Sequence, residues 1–93
     1  MIVSFKNKTM EAISLGKLPK GFPADIVRPA QRKLFMINNA VELRDLMLPP
    51  GNRLEVLKAD RAGQHSIRIN DQWRICFVWK EDGAHDVEIV DYH

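Results

Sequence analysis

Ninety-three residues, 45% of them hydrophobic, describe one domain spanning 1–93 and leave no length for a second domain or a large internal cavity. The single Cys76 excludes an intrachain disulfide framework and a multi-cysteine zinc site, and no apolar run reaches the roughly 18–20 residues of a membrane span. The net charge of +2 conceals an asymmetry: all 14 Lys and Arg lie within residues 1–80 beside seven acids, whereas residues 81–93 carry five acids and no cation. A basic body with an acidic end is compatible either with an ordinary solvated surface or with a polyanion site.

The chain opens with a short β-rich run, Ile2-Val3-Ser4-Phe5. Asn7 or Thr9 then caps a first helix whose apolar positions include Met10, Ile13 and Leu15, with Gly16 as its stop. Residues 16–23 hold two glycines and two prolines and read as a connection. Val27, Ala30, Leu34, Ile37 and Val41 recur at helical spacing and define a second helix, with Pro29 tolerated only near its first turn. Val41 to Leu46 offers one more turn before Leu48-Pro49-Pro50-Gly51 interrupts regular structure.

From Arg53 the pattern changes to alternation. Leu54–Leu57, His65–Asn70, Trp73–Lys80 and His85–Val90 are four strand candidates, separated by loops short enough for antiparallel hairpins. A three-residue turn at Asn70-Asp71-Gln72 sets Arg68 opposite Arg74 and Ile67 opposite Ile75. Ile67, Ile69, Trp73, Ile75, Phe77 and Trp79 then share one face with Val87 and Ile89, suited to packing on the helices. The expected fold is α+β: two N-terminal helices on a four- to five-stranded, mainly antiparallel sheet. Opposed arginines repel, so either Glu88 on the next strand neutralises one of them or a phosphate-bearing ligand bridges both.

Chemistry concentrates at two places. Lys58 and Arg61 flank a loop beside the Arg68/Arg74 face, a basic rim of the kind that holds RNA phosphates. The chain ends Asp91-Tyr92-His93, a carboxylate, a phenol and an imidazole in succession after a strand, all able to move protons. His65 reads as a half-buried strand residue and His85 as a surface one, and no His/Cys spacing supports a metal or other cofactor.

The stretch Asn52-Arg53-Leu54-Glu55 through Lys58-Ala59-Asp60-Arg61-Ala62-Gly63, the run Ser66-Ile67-Arg68-Ile69-Asn70-Asp71-Gln72-Trp73-Arg74-Ile75-Cys76-Phe77 and the terminal Asp91-Tyr92-His93 closely resemble the HigB toxins. The opening Met1 to Lys6 matches as well. These are RelE/ParE-superfamily proteins encoded beside a helix-turn-helix antitoxin, HigA, and the resemblance covers essentially the whole chain. It implies a cytoplasmic, ribosome-dependent endoribonuclease that cuts translated mRNA without a cofactor and meets operator DNA only through its antitoxin. It also implies that Asp91, Tyr92 and His93 form the reactive tail, with Lys58 and Arg74 on the phosphate. Proximity rather than the resemblance adds Glu55, Arg61, Arg68 and Asn70 as candidate RNA contacts, with Glu55 also a candidate general base. Glu55 stands where some relatives carry a histidine, and Asn70 where they carry an arginine. The same superfamily contains gyrase poisons of the ParE type, which lack the acid-base tail, and a co-repressor module acting with the antitoxin is a third reading.

Overall fold

The structure, a computed structural model, describes residues 1–92. Helix α1 (Lys8–Ser14) begins where the Asn7 side chain accepts the Met10 amide at 3.0 Å, so Asn7 rather than Thr9 is the cap. It ends in a Schellman arrangement. Gly16, at φ +85°, donates to Ile13 and Lys17 donates to Ala12, a left-handed position that glycine takes without a Cβ penalty. Met10 and Ile13 are buried, whereas Leu15 falls at the C-cap and is exposed, outside the apolar face the spacing assigned it to.

A turn of 3-10 helix at Ala24–Ile26 leads into α2 (Val27–Asn39), which places Pro29 at the third helical position, where an N–H would have no partner within the helix. Ala30, Leu34 and Ile37 are buried against the sheet. Val41 departs from the expected face and is 85% exposed. The chain has left the helix at Ala40, and the Val41 and Glu42 amides instead donate to Asp45 at 2.9 Å each, capping a 3-10 turn at Leu43–Met47. Leu46, not Val41, fills the core there. Asn52, fully buried, ties this loop to α2: it accepts from Lys33 Nζ at 2.6 Å and donates to the carbonyls of Leu46 and Leu48. Desolvation, with Arg32 nearby, pulls the Lys33 ammonium below its ordinary range.

Strands β1 (Glu55–Val56), β2 (His65–Arg68), β3 (Trp73–Lys80) and β4 (Gly83–Asp91) form one antiparallel sheet in sequence order. The hairpin register is the expected one, with Arg68 opposite Arg74 and Ile67 opposite Ile75. Asn70 builds the turn by accepting the amides of Gln72 and Trp73 at 2.9 and 2.8 Å. The opening segment runs parallel along β4 through single bridges, Ile2 to Ala84 and Phe5 to Val87, a rudimentary fifth strand.

One sheet face carries Ile67, Ile75, Phe77, Val87 and Ile89 into the helices, and burial of each contributes about 1.5–3 kcal/mol. Trp79 packs on that core only partly buried, and Phe22 from the loop between the helices covers Trp73, their ring centroids 5.3 Å apart. His65 is half-buried and stacks on Phe77, as its strand position led one to expect, while His85 is also half-buried and bonds Asp82 at 2.6 Å. The opposite face carries Ser66, Arg68, Arg74, Cys76 and Glu88. Burial pushes the Cys76 thiol up, in keeping with a packing role.

Candidate active site

The opposed arginines are reconciled in a way the sequence did not suggest. Glu88 neutralises neither: it pairs with Arg61 at 3.0 Å and Lys6 at 3.3 Å. That hydrogen bond raises the Arg61 guanidinium above its usual range. Arg68 pairs with Asp71 inside the turn, and Arg74 turns toward β1, where Glu55 lies 3.9 Å away.

Arg74 is 7% exposed, and its burial is matched by hydrogen bonds. Nε donates to Ser66 Oγ at 2.8 Å, and Nη2 donates to the carbonyls of Arg53 at 2.6 Å and Ser66 at 3.3 Å. Its guanidinium carbon sits 5.7 Å from the centre of the Tyr92 ring, within cation–π range. Together these groups line an open cleft of about 320 Å³ formed by Arg53, Glu55, Arg68, Asn70, Asp71, Arg74 and Tyr92, with three cations facing two carboxylates. A cationic wall beside a phenol can hold a phosphate and offer it a proton-transfer group.

Not every residue singled out in the sequence joins this cleft. Lys58 is exposed at the start of a 3-10 turn, Ala59–Arg61, outside the lining, and Arg61 is engaged by Glu88. Asp91 pairs with Trp73 at the end of the sheet and accepts from Gln72 Nε2 at 3.1 Å, while the Tyr92 amide donates to the Gln72 carbonyl. Asp91 and Gln72 therefore fasten the last strand to the hairpin turn, which puts Tyr92 over Arg74. His93 lies outside the described residues. Asn70 lines the cleft, but its amide oxygen is committed to the turn. Among the described residues no group of three His, Cys, Asp or Glu is placed to hold a metal ion.

Three contributors escaped the sequence reading: Arg53, Ser66 and Asp71. Ser66 was within reach, since in the Arg68–Arg74 register it is the diagonal neighbour of Arg74 on the same face. Arg53 gave no such sign, because its left-handed backbone (φ 45°, ψ 58°), which sets its carbonyl on Arg74, follows an irregular loop. Asp71 engages Arg68 within the turn. Replacing it by asparagine frees Arg68 and is expected to raise affinity for a short single-stranded RNA about two- to fivefold at low salt. Fluorescence anisotropy would measure this, and unchanged affinity would remove Arg68 from the contact.

Two helices on one face of a small antiparallel sheet, with an open cationic cleft on the other, define the RelE-like class of toxins. A solved YoeB–YefM complex from Staphylococcus aureus has the same fold, with a TM-score of 0.62 over 100% of this chain and 95% of that one at 17% identity. The model of the RelE-like toxin of the type II toxin–antitoxin system HigB matches residues 3–93, and the chain belongs to that family. It is 38% identical to Toxin HigB-1 of Vibrio cholerae serotype O1 over 90% of each chain. It is 34% identical over the full length of both chains to Endoribonuclease HigB of Proteus vulgaris. As a type II toxin its partner class is an antitoxin. No described helix is long and apolar enough to cross a membrane.

Proposed function

We propose that the chain is a cytoplasmic, ribosome-dependent endoribonuclease that cuts translated mRNA and is restrained by a HigA-like helix-turn-helix antitoxin, which supplies the contacts to operator DNA. The observation that carries this reading is the pairing of a buried, fully anchored Arg74 with Tyr92 at the wall of an open cationic cleft. A shallow, exposed site suits a long polyanion that a larger particle presents, and relatives support the substrate class.

The chemistry is attack of an RNA 2′-hydroxyl on the adjacent phosphate, with loss of the 5′-oxygen of the next nucleotide. The base, Glu55 or a group of the Asp91-Tyr92-His93 tail, removes the hydroxyl proton. The acid, Tyr92 or His93, protonates the leaving oxygen. Arg74 takes up the charge that develops on the phosphate oxygens, and Arg68 holds a neighbouring phosphate once Asp71 yields it. Lys58 would have to approach from the rim, since it does not line the cleft.

The test is to induce the protein in cells and map the 5′ ends of RNA, with Tyr92→Phe and a His93 deletion alongside. New ends inside translated messages, reduced at least tenfold in one of the two variants, are expected. Intact RNA with arrested DNA replication would replace this reading with that of a gyrase poison.

A further inference from the structure

The Ser66 side chain has no exposure to solvent and no place in the cleft lining, yet its hydroxyl meets a charged group. A hydroxyl buried at the centre of a sheet face needs a partner, and here that partner is Arg74. The hydrogen bonds of the guanidinium fall in a definite pattern. Nε is held by Ser66 Oγ, and Nη2 is held by two backbone carbonyls, those of Ser66 and Arg53. Nε carries one hydrogen and Nη2 two, so three of the five donors are used within the protein. Among the described residues no hydrogen bond uses Nη1. The structure assigns Ser66 the role of positioning residue for Arg74: its hydroxyl fixes the guanidinium plane so that Arg74 presents Nη1, and only Nη1, to an RNA phosphate.

The physical consequence concerns orientation rather than charge. Glu55, at 3.9 Å from Nη2, attracts the guanidinium without a hydrogen bond, and the Tyr92 ring at 5.7 Å tolerates rotation above it. Neither fixes the plane. Backbone carbonyls hold Nη2 at one end, and rotation about that end is stopped by the Ser66 hydroxyl on Nε. Without it the arginine keeps its charge and most of its burial but loses the defined direction of its two remaining hydrogens. Misplacement on the scale of 1 Å at a reacting centre costs about a hundredfold in rate. Charge-driven affinity for RNA, which depends on the presence of the cation, changes far less.

This assignment rests on the reading of Arg74 as the phosphate-binding residue, and the experiment separates the two. Single-turnover RNA cleavage on translating ribosomes is measured for the parent, Ser66→Ala, Arg74→Ala and the double variant, at saturating toxin and as a function of toxin concentration. Ser66→Ala is expected to slow the saturated rate roughly ten- to a hundredfold, with less than a twofold change in the half-saturating concentration. In the Arg74→Ala background the same substitution is expected to change nothing, because a positioning residue acts only through what it positions. An equal loss in both backgrounds overturns the assignment, as does a fully active Ser66→Ala. Arg74→Ala cleaving as fast as the parent overturns the reading and the assignment together. Should Ser66→Ala melt below the assay temperature, Arg74→Lys replaces it. An ammonium cannot occupy all three anchors and still direct a donor outward, so parent-like cleavage by that variant overturns the assignment. Hydrogen exchange of the Arg74 Nε–H, followed by NMR, reads the anchor without any activity. Slow exchange in the parent is expected, and exchange as fast as in a free arginine would overturn the assignment whatever the protein cleaves.

Discussion

Replacing Arg74 by alanine is expected to abolish growth arrest on induction and to lower RNA cleavage about 10²–10³-fold, the loss seen when one preorganised charge-stabilising donor is removed. A guanidinium at 7% exposure has given up most of its water, and the protein replaces that water with three oxygen acceptors rather than with a tight carboxylate. Glu55, at 3.9 Å and half exposed, only partly offsets the charge. The cation therefore stays electrostatically available, in a low-dielectric setting where it acts strongly on whatever anion enters the cleft. The substitution also strands the Ser66 hydroxyl and the Arg53 carbonyl, a cost of about 1–3 kcal/mol, while removing the cost of burying a charge. The two act in opposite directions, so the melting temperature is expected to move by no more than a few degrees for a domain of this size. Loss of cleavage with a near-parental melting curve separates function from folding. A collapse of both would make Arg74 a structural residue.

How much of this was legible in the sequence depended on whether the determining interaction was local. The Arg68–Arg74 opposition followed from a three-residue turn and the alternation on either side of it, both short-range features, and the structure has that register. The capping of α1 by Asn7 and its termination at Gly16 were legible for the same reason. The destinations of the side chains were not. Glu88 was on the right face yet went to Arg61 and Lys6, since the distance from one strand to a neighbouring loop is set by the path of residues 57–64, which has no periodicity. Val41 kept helical spacing after the helix had ended, because Asp45, four residues ahead, offered its amide a better acceptor than the helix did. The tail Asp91-Tyr92-His93 was marked by composition alone. That Asp91 turns to Gln72 while Tyr92 reaches Arg74 follows from strand alternation, which sends consecutive side chains to opposite faces. The resemblance identified the family, and the geometry then separated Arg74 and Tyr92, which meet, from Lys58, which stays outside.

Gly83→Ala is expected to be the most damaging substitution at an exposed-looking turn, for a reason the turn itself does not reveal. Glu81-Asp82-Gly83 reads as an ordinary hairpin connection, where alanine would be tolerated at many positions. In the fold Gly83 has φ +129°, a region closed to residues with a Cβ, so alanine there costs about 1–3 kcal/mol in backbone strain alone. A second cost comes from the opening segment. A Cβ on Gly83 would stand 2.1 Å from the Met1 carbonyl oxygen, a backbone atom that can move away only by giving up the bond from the Ala84 amide at 2.9 Å. The neighbouring bond, Val3 amide to Ala84 carbonyl at 2.8 Å, belongs to the same parallel bridge and would be lost with it. Detaching residues 1–5 exposes β4 as a bare sheet edge and uncovers Ile2 and Phe5, which pack on the core. Strain and detachment add, and in a domain of 93 residues whose whole stability is about 5–15 kcal/mol the sum is a large fraction. The expected result is a melting temperature lowered by at least 10 °C, with faster amide exchange in β4 than in β2, read by calorimetry and hydrogen exchange. A variant that melts with the parent would mean that the opening segment does not pair with β4.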